Sequence, residues 1–183
     1  MKLLKNTRFA GAVAVIVCVL SMFIGTNKSL TSLAKDVENK FYSGVEADGY
    51  AHPSIASQLR ACEDYALGLA TIAKNYPELE DASDGLIKAR GLQDGEIAVS
   101  EQSAANGYMV SRFDELYNLL GSVEMSERDH SAADAYAKDF YSAQTFIVQL
   151  AKEYNAEVVK YEKITGKFPV NIFGVVADTS YKF

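Results

Sequence analysis

The chain has 183 residues, a formal net charge of −6, 49% apolar and 23% charged residues, 11 Tyr, 9 Phe, 3 Pro and no Trp. That length suits one compact domain, and the composition argues against a disordered or fibrous chain. Lys2, Lys5 and Arg8 are the only charged groups before residue 27, so the remainder holds 15 basic and 24 acidic groups; a body at net −9 with no basic stripe argues against nucleic-acid binding, and two Cys argue against a disulfide-stapled scaffold.

Residues 9–25, FAGAVAVIVCVLSMFIG, are uncharged. As a helix they span about 26 Å, within the range that crosses a hydrocarbon core, and lipid demands a helix because unpaired backbone groups are too costly there. The basic groups precede this stretch, whereas Lys28 and Lys35 beyond it are offset by Asp36 and Glu38. That bias keeps the N-terminus cytoplasmic and exports the body. A cleaved signal peptide is the competing reading. The stretch is long for a signal core, Val19 and Ser21 make a weak cleavage site, and Val17 stands where a lipidated Cys18 would need a small neighbour. The sequence therefore predicts a retained single-pass anchor over 1–26 and an exported domain over 27–183.

The body reads as helices. Leu30, Leu33, Val37, Phe41 and Val45 share one helical face, and only Gly25 separates them from the membrane segment. Asp48, Gly49 and Pro53 predict a turn over 47–53. A second helix starts near Ser54 with the stripe Ile55, Leu59, Cys62, Ala66, Leu69, Ala73 and Tyr76. Pro77 interrupts or restarts it, and Leu79, Ala82, Leu86 and Ala89 continue the spacing up to a break at Gly91, Asp94 and Gly95. Residues 92–107 have a thin stripe, weakened by Asn106 and Gly107, and read equally as weak helix or loop. Met109, Phe113, Leu116, Leu120 and Val123 mark the next helix, with a local break at Gly121. After a polar stretch, Ser131–Lys163 forms the longest helix, with Phe140, Ala143, Ile147, Leu150, Tyr154, Val158 and Tyr161 on one face and a stop at Gly166 and Pro169. The apolar tail from Phe168 to Val176 is expected to strap across the bundle or meet lipid. No stretch suggests a β-sheet of any size, so the predicted fold is all-α: one N-terminal transmembrane helix, then an antiparallel bundle of about four helices.

Catalytic motifs are absent: there is no HExxH, paired CxxC, glycine-rich phosphate loop or GxSxG. His52 falls in the predicted turn. Glu127 and His130 share a helical face three apart, half of what a di-iron bundle needs, but two His in the whole chain preclude a second such pair. Carboxylate pairs such as Glu78/Glu80 and Asp114/Glu115 read as a solvated acidic face, and Arg112 and Glu115 as a surface ion pair. Cys62, on an apolar stripe, reads as a small buried side chain. The tyrosines say more. Tyr136, Tyr141, Tyr154 and Tyr161 lie along the last helix, either filling the core with hydroxyls at the rim or lining a groove for a partner's helix or strand.

The last helix resembles the LemA family of bacterial envelope proteins. Ala151-Lys152, Tyr154-Asn155, Val158 and Tyr161-Glu162 follow that family's pattern in order, with Lys152 for its usual Arg and Glu162 for its second Asn, and Phe168-Pro169 and Phe173-Gly174 come after. At the front, Asn27, Leu30, Leu33 and Val37 match in order, with Phe41 where the family has Trp, and Ala89-Arg90 is similar to a further family feature. The centre departs: Ile55-Ala56-Ser57-Gln58-Leu59 lacks the Arg, Asp, Pro and Asn of the family's R-R-x-D-L-I-P-N-L block, and Tyr76-Pro77-Glu78-Leu79 looks like an element the family places later. The likeness covers about two thirds of the chain. It implies a membrane-anchored helical bundle without established enzymatic activity, cofactor or metal.

Two functions of different class are expected from this reading. The first is an anchored interaction or structural module, held in the bilayer through residues 9–25, docking an envelope or membrane protein or a second copy of itself through the Tyr154–Tyr161 face or the Phe168–Val176 tail. The alternative is a metal-dependent or otherwise cryptic enzyme using Glu127, His130 and nearby carboxylates.

Overall fold

A computed structural model describes residues 7–44, 46–47, 50–51, 53–93, 97–167 and 182–183, and these are helical apart from connecting turns and one minimal ladder. The fold is all-α: a long apolar N-terminal helix followed by four more helices that form a bundle. The helices are α1 (Thr7–Ser43), α2 (Ile55–Ala73), α3 (Glu80–Gly91), α4 (Val99–Leu120) and α5 (Glu127–Thr165). Two-residue strands β1 (Glu46–Ala47) and β2 (Tyr50–Ala51) pair antiparallel between α1 and α2, Glu46 opposite Ala51 and Ala47 opposite Tyr50. Asp48 and Gly49, on which the expected turn rests, lie outside the described residues. Gly44, at φ 78, takes the left-handed conformation that releases the chain from α1. Val45, His52 and the tail Phe168–Val176 lie outside the described residues.

Contacts divide the chain into two compact units, Met1–Glu38 with Glu157–Thr179, and Asn39–Ala156 with Ser180–Phe183. In the first, α1 buries Leu30, Ala34 and Val37, and α5 buries Val158, Tyr161 and Thr165. Both sets repeat at three and four residues, so each is one helix face. Gly25, Thr26, Ser29, Leu30 and Leu33 of α1 and Ile164 of α5 line a pocket of about 280 Å³. The apolar start of α1 is different. An 18-residue window with mean hydropathy 1.8 is only 6% buried, and Val15, Ile16, Val17, Leu20 and Ile24 are each more than half exposed. This helix is long and apolar enough to cross a membrane.

In the second unit α2, α3 and α4 pack on one another. Ser54 caps α2, its hydroxyl accepting from the Ser57 N–H at 3.0 Å, which satisfies one of the orphan donors of the first turn. Ile55, Leu59, Cys62, Ala66, Leu69 and Ala73 are buried as their spacing requires. Tyr76 falls outside α2, which stops at Ala73, and leads into a 3-10 turn over Pro77–Leu79, where Pro77 restarts the chain toward α3. On α3 the buried position is Ser83 rather than the expected Ala82. Its hydroxyl donates to the Ala70 carbonyl at 2.9 Å, so a polar side chain enters the core with its bond made.

Two helix starts differ from the sequence reading. The uncertain stretch 92–107 is helical from Val99. Glu101 accepts from the Ala98 N–H at 3.0 Å, half of a capping box, since Ala98 has no side-chain oxygen to return the bond. Helix α5 begins at Glu127, four residues before the expected start. Ser126 caps it, its Oγ accepting from the Asp129 N–H at 3.1 Å, and Glu127 and Asp129 sit in the first turn where the dipole favours acids. Gly121, expected as a local break, ends α4 outright, so Val123, expected on its stripe, lies beyond the helix.

Candidate functional site

The α4–α5 pair carries most of the polar detail of the second unit. Its centre is aromatic. Phe113 of α4 and Phe140 of α5 stack directly, ring centroids 3.7 Å apart and planes within 2°. Tyr141 stands edge-on to both, at 5.8 Å from each. Around this cluster the phenols reach across to carboxylates of the facing helix. Tyr117 of α4 donates to Asp134 of α5 at 3.0 Å, and Tyr141 of α5 donates to Asp114 of α4 at 2.8 Å. A third brace joins the 3-10 turn to α5: Tyr76 donates to Asp129 at 2.8 Å and accepts from the Ser126 N–H at 3.2 Å. A charged acceptor makes these the stronger kind of hydrogen bond. They also hold the neutral phenol. Tyr141 is pushed up in pKa chiefly by burial and then by its bond to Asp114, and Tyr117 chiefly by its bond to Asp134. Tyr141 is 40% exposed and Tyr76 and Tyr117 are half-buried, so these rings edge the core and their hydroxyls brace one element to the next.

The core end of the pair is amide chemistry. Asn106 of α4 and Gln144 of α5 exchange two bonds, at 3.0 and 2.9 Å, which explains how Asn106 is accommodated at 7% exposure. Gln144 also donates to Cys62 Sγ at 3.3 Å. Burial pushes the Cys62 thiol up to about 12, with the Gln144 bond lowering it only in part. Cys62 is thus a protonated core group, the opposite of an activated nucleophile.

Glu127 and His130 both lie in the first turn of α5. His130 Nδ1 is 3.3 Å from the Asp134 carboxylate, and both side chains are more than half exposed. Tyr117, Met125, His130 and Asp134 help line an open pocket of about 260 Å³. Among the described residues no group of three or more His, Cys, Asp or Glu is arranged to hold a metal. Glu78 and Glu80 are solvent-exposed. Arg112 pairs with Glu115 at 2.6 Å as its spacing predicts, between side chains 37% and 48% exposed, and so contributes little to stability.

Tyr154 and Tyr161 are both buried, at 3% and 1% exposure. In the second unit Tyr154 stands edge-on to Phe41, 5.7 Å between centroids. Next to it Asn155 does something the sequence reading missed. Its side-chain amide donates to the Phe183 carbonyl at 2.6 Å and accepts from the Phe183 N–H at 3.0 Å. The Phe183 ring lies 5.6 Å from the Phe41 ring. Phe183 closes one end of a groove of about 530 Å³ between α4 and α5. No spacing rule forecasts a pairing that joins residues 28 apart.

Compared with known proteins, the chain matches no family model, no curated protein sequence and no solved structure.

Proposed function

We propose that this protein is a single-pass, membrane-anchored interaction module of the bacterial cell envelope, with its N-terminus cytoplasmic, its helical body exported, and LemA-like descent. The observation that carries the reading is the apolar first part of α1, a window of mean hydropathy 1.8 of which 6% is buried. Water is a poor solvent for such a surface, and a bilayer removes it from water at about 25 cal/mol per Å². The basic groups Lys2, Lys5 and Arg8 before the window support the orientation. Family descent is supported by where most of the apolar resembling positions fall: Leu30, Val37, Phe41, Ala89, Tyr154, Val158 and Tyr161 are buried, while Leu33 and Ala151 are half-buried. Anchoring would raise the local concentration of such a module at a membrane-bound partner.

The test is protease access to a C-terminal tag in intact cells, after opening of the outer envelope, and after full lysis, with the mature mass read from the same sample. A full-length protein whose tag is digested before the cytoplasmic membrane is breached is the expected result. A tag protected until that breach would place the body in the cytoplasm, and a mass lacking the first residues would replace the anchor with a cleaved signal.

A further inference from the structure

We propose that the α4–α5 groove of the second unit, together with the Phe41 ring of α1 that Phe183 touches beside it, is a peptide-docking site, that it reads one main-chain residue through Asn155 and one aromatic ring through Phe41, and that this chain's own Phe183 is its resident, exchangeable ligand.

A primary amide presents an N–H and a C=O side by side, as a peptide group does. Asn155 uses both on the N–H and C=O of a single residue, at 3.0 and 2.6 Å. That two-way exchange is the one an antiparallel strand partner makes, and it recognises main chain whatever the side chain. The second contact supplies selectivity. Phe183 places its ring 5.6 Å from Phe41, which has no exposed surface and is itself backed by Tyr154. Flat rings seated on aromatic neighbours are favoured beyond their buried area. The seat thus selects an extended residue with an aromatic side chain.

The groove is larger than its resident. Val110, Val148, Ala151 and Lys152 continue its wall past Phe183 within the 530 Å³ volume, and Val148 is 69% exposed. Apolar wall left open beside a bound residue has room for the neighbours of an incoming extended segment. One residue held by two hydrogen bonds and one ring contact is a modest grip, and a longer segment of the same chemistry would outcompete it. Docking deepens the interaction role proposed above and rests on that role only for the source of the incoming segment. Failure of docking would leave the tag experiment untouched.

The experiment uses the full chain in detergent micelles and, as probe, a fluorescent octapeptide with the sequence of residues 176–183, VADTSYKF, capped as its C-terminal amide so that its last carbonyl is a neutral acceptor. Deleting residues 182–183 should tighten peptide binding at least tenfold over the intact protein, and the peptide should raise the melting temperature of the deleted form by mass action. Adding Asn155→Asp, which keeps the acceptor but removes the donor, should cost about tenfold, as should replacing the peptide's final Phe by Ala. Should the deletion fail to fold, Phe183→Ala in the full chain takes its place with the same expectations. Equal binding with and without the resident Phe183, or binding indifferent to Asn155→Asp, would overturn the proposal.

Discussion

Gly68 on α2 shows how one missing atom sets a helix contact. A Cβ there would lie 2.5 Å from Cζ and 2.6 Å from Cε1 of Tyr136 on α5, closer than real carbons pack. Two effects oppose one another in Gly68→Ala. Helix propensity favours Ala by about 1 kcal/mol, while overpacking costs typically about 1–3 kcal/mol. The clash should win, and urea denaturation should show a less stable protein. In a Tyr136→Ala background the clash is gone, so the same Gly68→Ala change should then stabilise by up to about 1 kcal/mol. A destabilising effect of equal size in both backgrounds would mean that Tyr136 is not what Gly68 makes room for. The sequence could not announce this, because nothing in a lone mid-helix Gly names the ring that crosses it. Cys62, by contrast, was legible: its place on the stripe of Ile55, Leu59 and Ala66 already implied a buried, inert thiol.

At the scale of elements, the tyrosine braces between α4 and α5 predict an alkaline limit to stability. The phenols of Tyr117 and Tyr141 are held above their ordinary range in the fold, whereas in the unfolded chain they titrate near 10. A pKa raised by folding contributes stability that is complete below the unfolded value and is lost as pH rises through the folded one. Thermal unfolding should therefore be insensitive to these groups up to about pH 9 and weaken above about pH 10. Tyr141→Phe should cost about 0.5–1.5 kcal/mol at neutral pH through the lost bond to Asp114, and it should make the decline above pH 10 shallower than in the parent. Parallel declines in parent and variant would show that other groups set the alkaline limit. Element boundaries were legible where a cap or breaker stood in the sequence, as at Ser54, Pro77 and Gly121. The early start of α5 was also written there, in Ser126-Glu127-Arg128-Asp129, a cap followed three residues on by an acid; the polarity of the stretch obscured it. The start of α4 was less visible, because Ala98 carries no capping oxygen and the bond comes from Glu101 alone.

For the molecule as a whole, periodicity disclosed the helices and their buried faces because one physical rule, burial of an apolar stripe, governs both. It could not disclose partners across the fold, such as Asn106 with Gln144 or Asn155 with Phe183, since polar pairs at long separation leave no periodic trace. The membrane segment is the case where local composition and global placement are the same question, and it can be tested with a single charge. Val17 is the midpoint of residues 9–25 and is 55% exposed on α1. An Arg at the centre of a spanning helix costs about 2.5–3.5 kcal/mol on insertion scales, and a stretch of minimal length offers few further apolar residues to offset it. Val17→Arg should therefore shift a large share of the protein out of carbonate-washed membranes, while Val17→Leu should leave the distribution unchanged. Helical content by circular dichroism should persist in the released Val17→Arg protein, because the stripes of α2 to α5 are buried against protein rather than lipid. Equal membrane retention of Val17→Arg and the parent would locate the attachment elsewhere in the chain and remove the anchor on which the proposed function stands.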